Sequence, residues 1–137
     1  MADFTVKGLP ELSKQFVNLS TIPAEVIWQM LDAEADVVVA AQQRTAASML
    51  AGKFNKGAVM RSIRKGKIKH SKGVYVQYIN YAGKQHGNRL AEIAFVNEYG
   101  KKGQTGRPFI RVANEQCADQ AVDAGARVLY SWIDSVN

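Results

Sequence analysis

With a single cysteine, Cys117, the chain has no internal disulfide to form, and its sulfur content does not point to an oxidising compartment. Histidine is nearly as scarce. His70 and His86 have no carboxylate or thiol at metal-ligand spacing from either one, so neither a metal site nor histidine catalysis is indicated, and no cofactor is expected. No apolar run approaches the roughly 18 residues of a membrane-spanning helix. Met1 to Lys7 contain no apolar h-region, so no signal peptide is expected, and cytoplasmic residence is the expectation. Gly100, Gly103 and Gly106 match neither the Walker pattern nor the dinucleotide fingerprint, and no apolar strand feeds into them, so no phosphate loop follows. Internal repeats and low-complexity tracts are absent.

The scarcest thing of all is negative charge in the middle of the chain. Residues 53–111 carry 14 of the 18 Lys and Arg but only two acids, Glu92 and Glu98, a net of +12. Residues 1–52 carry three bases against six acids, and residues 112–137 one base against four, so each flank is at −3. Such segregation speaks to partners and association. Apolar residues at 47% and charged residues at 22% are ordinary for a globular protein, and 137 residues fit one domain, taken as 1–137.

Periodicity supplies the elements. Gly8-Leu9-Pro10 opens a short helical pattern through Leu12, Phe16 and Leu19. A long helix is expected over residues 22–50, capped by Ser20 or Thr21, with Pro23 just inside and Gly52 at its end. Its apolar face carries Val26, Ile27, Met30, Leu31, Val37, Val38, Ala41 and Met49; Glu25, Gln29, Asp32, Asp36 and Gln43 fall opposite. Glu34 is the exception, projecting from the apolar face. Residues 57–64 fit either a helical turn or the start of a strand. The period then becomes two, giving a β-hairpin from Lys65 to Ile79 around Ser71-Lys72-Gly73. Residues 83–89 read as a polar loop and 90–99 as a short helix with Ile93 and Val96 inward. Residues 101–106 read as a flexible basic loop. The final helix has one stripe of Ile110, Ala113, Cys117, Ala121, Ala124, Val128 and Trp132, whose small residues permit close approach of the long helix. The expected architecture is α+β: a small antiparallel sheet with the two long helices packed on it.

Strand alternation places Lys65, Lys67 and Lys69 on one face. Three readings of this ladder stand side by side: nucleic-acid phosphates, acidic faces of neighbouring subunits, or solvent. Asp32 and Asp36, on the outer face of the long helix, offer an acidic receiver on another copy. Glu34 is read either as meeting a basic partner at a subunit contact or as lying at the edge of the packed face. Cys117, on an apolar stripe with no base nearby, reads as a small core residue. An RNA-cleaving toxin is a further alternative, resting on the presence of Lys, His70, Tyr75 and Tyr81 on or beside the hairpin.

The most specific segment is Ala94-Phe95-Val96-Asn97-Glu98-Tyr99-Gly100, followed by Arg107-Pro108-Phe109-Ile110-Arg111-Val112-Ala113. It resembles the signature of tail-component or tail-completion (neck) proteins of long-tailed phages and prophages. Lys56-Gly57-Ala58-Val59-Met60-Arg61-Ser62-Ile63 echoes an upstream pattern of the same family, and Gly8 to Leu12 its opening. Lys56 and Lys101 replace the family's usual threonines, Val112 its second proline, and residues 83–90 look like an insertion. The resemblance implies a non-enzymatic structural protein of the virion, a subunit of a ring, often of six copies, that completes the tail top and joins tail to head. Its implied partners are copies of itself, other neck and tail proteins and, in passing, genome DNA, with no membrane. Assembly would take place in the host bacterial cytoplasm. It also implies that Glu98, Tyr99, Gly100, Pro108 and Phe109 chiefly build the fold. The contact residues expected are Lys65, Lys67, Lys69, Lys101, Lys102, Arg107 and Arg111 on the basic side, and Asp32, Glu34 and Asp36 on the acidic side.

Overall fold

The structure, a computed structural model, describes residues 22–50 and 57–136. The expected short helix from Gly8 to Leu19, the capping candidates Ser20 and Thr21, and Gly52 and Lys56 lie outside the described residues. The fold is α+β, as expected. Two long helices, α1 (Ala24–Met49) and α4 (Phe109–Val136), frame a single turn α2 (Ala58–Ser62), an antiparallel hairpin of β1 (Ile63–Ser71) and β2 (Val74–Tyr81), a two-residue hairpin of β3 (Lys84–Gln85) and β4 (Asn88–Arg89), and α3 (Leu90–Tyr99).

Pro23 stands one position earlier than expected. It is the N-cap of α1, extended at φ −62 and ψ 146, and its carbonyl accepts from Val26 N–H at 3.0 Å. The fixed φ of proline suits this junction, and its missing N–H costs nothing where no intrahelical acceptor exists. The helix ends at Leu50, whose N–H bonds Ala46 O at 3.0 Å, before Gly52 is reached. The buried face of α1 is Val26, Ala35, Ala41, Gln42, Thr45 and Ala46, so two polar residues lie inside it while Ile27, Met30 and Leu31 are not fully buried.

α4 packs along α1 with Ala113 and Cys117 against Ala41, Val37 and Val38 and Gly125 against Glu34, and Ala121 is buried on the same stripe. Small side chains let the two backbones approach, which the alanine-rich stripe anticipates. Cys117 is a buried core residue, as its pattern indicates. The larger core cluster, Leu50, Val59, Ile63, Leu90, Ala94 and Phe109 with Ala46, sits where α1, α2, α3 and the base of the hairpin meet the start of α4.

Both readings of residues 57–64 hold in succession: α2 follows Gly57 (φ 78), and β1 begins at Ile63. The β1–β2 turn is made by Lys72 (φ 51) and Gly73 (φ 77), the mirror-type turn whose twist matches that of the strands. Residues 83–89 form a second turn, through His86 (φ 52) and Gly87 (φ 80), rather than a plain loop. In α3 the buried side chains are Leu90, Ala94, Asn97 and Glu98; Ile93 is only half-buried. Residues 101–106 contain a closed turn, with Lys101 and Gln104 exchanging backbone hydrogen bonds of 3.0 and 2.9 Å.

The inner face of the hairpin rests on one flank of α1, through Asp32 and Asp36. α4 rests on the opposite flank, through Glu34, Val37, Val38 and Ala41. The hairpin and α4 are therefore the outer layers of a three-layer stack, and they meet at the hairpin's base, where Tyr81 lies edge-on to Phe109 with ring centroids 6.1 Å apart.

Candidate interaction surface

The segment singled out by its resemblance folds into one joint. The Glu98 side chain is buried and its carboxylate receives two backbone N–H groups at the start of α4, Ile110 to Oε1 at 2.7 Å and Arg111 to Oε2 at 3.2 Å. An anion at a helix N-terminus satisfies donors that have no intrahelical partner and complements the helix dipole. Gly100 turns the chain out of α3 at φ 82 and ψ 178, with its N–H on Val96 O at 2.7 Å. Pro108 leads into α4, its carbonyl accepting from Val112 N–H at 3.0 Å, and Phe109 is fully buried. Tyr99 departs from the expected structural role. It is 72% exposed and tilts against the exposed Phe95 ring at 4.8 Å. Replacing Glu98 by alanine leaves those two donors without an acceptor inside the protein; a loss of about 2 kcal/mol is expected in chemical denaturation, with Glu98→Gln intermediate because its amide oxygen still accepts. Equal stability of Glu98→Ala and wild type would contradict the capping role.

Arg107 and Arg111, expected to reach out to partners, are engaged within the chain. Arg107 donates to Asn97 Oδ1 at 2.6 Å and to Met49 O at 3.2 Å, tying the end of α1 to α3. Arg111 pairs with Glu115 at 3.3 Å, one turn along α4. Lys101 and Lys102 are exposed on the closed turn.

The lysine ladder is split. Lys65 pairs with Ile79 and Ile68 with Gln77, so the register shifts between them and a bulge interrupts the alternation. Lys65 turns inward to α1, reaching Asp36 at 2.8 Å and Asp32 at 3.8 Å. The Asp36 hydrogen bond holds the Lys65 ammonium above its usual value. Lys69 instead stands 5.7 Å from the centre of the Tyr78 ring on the outer face. The three lysines do not share a face, and the acidic receiver expected on another copy is met in the same chain. Gln77 reinforces this seat by donating to Asp32 at 2.9 Å. Because these side chains are a third to two-thirds exposed, each ion pair contributes less than about 1 kcal/mol.

What remains outward on the hairpin is basic and apolar together: Lys67, Lys69 and Lys72 are exposed, beside Val74 at 58% and Tyr78 at 57% exposure. None of these three lysines has a carboxylate within ion-pair distance among the described residues. His70 stacks flat on Tyr75 at 4.0 Å, and His86 is exposed in its turn. Among the described residues no group of three His, Cys, Asp or Glu side chains comes together as a metal would require, and no helix is long and apolar enough to cross a membrane.

Two polar features escape sequence reasoning. Tyr81 donates to Gln42 Oε1 at 2.7 Å, and Gln42 donates to Asn114 Oδ1 at 3.0 Å, a chain that joins β2, α1 and α4. Burial, with the nearby Glu98 charge, pushes the Tyr81 phenol well above its usual range. Thr45 donates to Phe109 O at 2.8 Å. The only signal available in sequence is the placement of Gln42 and Thr45 within reach of an otherwise apolar stripe.

Glu34 faces Gly125 of α4 within the chain. A Cβ at position 125 would overlap its carboxylate, so glycine makes the room. Desolvation between the helices raises the Glu34 carboxyl above its ordinary value. A raised carboxyl binds protons more tightly in the folded state, so its contribution is fully present below the ordinary carboxylate range and is lost as pH rises through the raised value. Glu34→Gln removes that titration. The variant is expected to gain on wild type as pH rises from acid to neutral in urea denaturation; a stability difference independent of pH would refute it.

No protein-family model, no curated protein and no solved structure matches the chain.

Proposed function

We propose that this chain is a structural assembly protein, a subunit of an oligomeric ring that completes a phage or prophage tail at the head–tail junction. The observation that supports it most is the outward basic-and-apolar face of the hairpin, carried on a frame that engages Arg107 and Arg111 internally. Charged residues around exposed apolar ones suit a subunit contact, where charge orients and apolar burial binds. The signature segment adds to this, since Glu98, Gly100, Pro108 and Phe109 build one joint between α3 and α4. In this reading the particle carries copies of the chain beside other neck and tail proteins, and DNA crosses the ring in passing.

Gene order tests it. Capsid and portal genes on one side with tail-tube genes on the other are expected; a small antitoxin gene alongside would overturn the reading in favour of the RNA-cleaving toxin. A nucleic-acid binder is the second reading, favoured by Lys67, Lys69 and Lys72 beside the exposed Tyr78. Neutralising about five phosphates would give a log–log salt slope of about −4 to −5. Absence of duplex binding at low salt removes that reading.

A further inference from the structure

Among the described residues, the outer face of α4 is a second exposed surface of the stack. At helical spacing Glu115, Asp119, Asp123 and Asp134 share it with Val122 and Tyr130, which are 64% and 62% exposed. Asp119, Asp123 and Asp134 take part in no ion pair among the described residues. This face lies on the far side of α1 from the hairpin, and the two complement each other. One presents lysines beside Val74 and Tyr78; the other presents carboxylates beside Val122 and Tyr130. They match in length as well: β1 has 9 residues, about 30 Å, and the stretch from Glu115 to Asp134 on α4 covers about 28 Å.

We infer that the outer face of the β1–β2 hairpin docks on the outer face of α4 of a second copy of this chain. The inference deepens the assembly reading and rests on it. Because the two surfaces are different and lie on opposite sides of the subunit, the contact is head-to-tail. Such a contact repeats from copy to copy and closes as a ring when the rotation allows. Asp32 and Asp36 are not the receiver, since Lys65 and Gln77 of the same chain already occupy them. Charge sets register and orientation, and the exposed aromatic and valine side chains supply the apolar burial.

Charge exchange tests the contact. One variant carries Lys67→Glu, Lys69→Glu and Lys72→Glu; the other carries Glu115→Lys, Asp119→Lys and Asp123→Lys. All substituted side chains are exposed, and circular dichroism checks that both variants fold. Sedimentation velocity is run at low salt and at millimolar protein. Wild type is expected to self-associate, each variant alone to associate about tenfold more weakly, and an equal mixture to recover wild-type association, because each hairpin then faces a helix of opposite sign. Two variants that associate as well as wild type, or a mixture that fails to recover, would overturn the inference and leave a ring built through another face. A wild type that stays monomeric also overturns it, and the tail reading is then decided separately by gene order.

Discussion

Phe109→Ala is expected to cost about 3–5 kcal/mol, a large part of the stability of a domain this size. Phe109 is fully buried at the point where its own helix meets five other elements: Leu50 at the end of α1, Val59 in α2, Ile63 in β1, Leu90 and Ala94 in α3, and Tyr81 of β2 edge-on to its ring. Truncation removes apolar surface from the centre of this cluster and leaves a cavity lined by side chains from separate elements. Those elements are held by their own hydrogen bonds, among them Thr45 to Phe109 O and the first turn of α4 to Glu98, so the site cannot collapse cheaply. The loss reads as a lower denaturation midpoint in urea with little change of slope. Phe95→Ala is the comparison. Phe95 is 62% exposed on α3, and its removal is expected to shift stability by no more than about 0.5 kcal/mol. Similar losses for the two would mean that Phe109 is not the anchor of the core.

Gly100→Ala is expected to cost on the order of 3 kcal/mol, from two sources. At φ 82 and ψ 178 the backbone occupies a region that only glycine enters readily. A Cβ there would also lie 2.7 Å from Gln104 O and 2.7 Å from Gly106 N, both backbone atoms of the adjoining turn, which cannot rotate away as a side-chain tip can. Gly103 has nearly the same φ, 81, but a Cβ on it meets nothing within 4 Å. Gly103→Ala therefore meets no clash and carries only the cost of its own positive φ, about 1 kcal/mol. The difference between the two variants in urea measures the clash together with the glycine-only ψ of Gly100. If Gly103→Ala proved as costly as Gly100→Ala, the close packing of the turn against the end of α3 would not be the reason for Gly100.

Short-range patterns carry most of the fold. The 3.6-residue period locates α1 and α4, the small-residue stripe anticipates their close packing, and the switch to period two locates the hairpin. Gly100 and Phe109 are legible, through the resemblance, as residues that build the fold, and the structure makes one a turn with positive φ and the other a buried anchor. The departures cluster where a local pattern extends across a feature it does not encode. Alternation from Lys65 to Lys69 fails because the register of β1 shifts within it, and a bulge has no reliable signature in the lysine spacing. Polar Gln42 and Thr45 lie in the buried face of α1 because Tyr81, Asn114 and the Phe109 carbonyl come to meet them from residues far along the chain. Gly125 is silent in the sequence for the same reason: what requires a glycine there is Glu34, on another helix.

The basic middle between acidic flanks is a matter of composition alone, and with it a protein whose charges are segregated along the chain. Which charges are already satisfied is decided by tertiary structure. Packing the hairpin on α1 brings Lys65 to Asp36 and Asp32 within one chain, and docking α3 on the start of α4 turns Glu98 into a helix cap and Arg107 into a tie to Asn97. Period and turn chemistry act between near neighbours in sequence, so the sequence displays them. An ion pair acts over a few ångströms in space, and only the folded chain determines which distant residues stand that close.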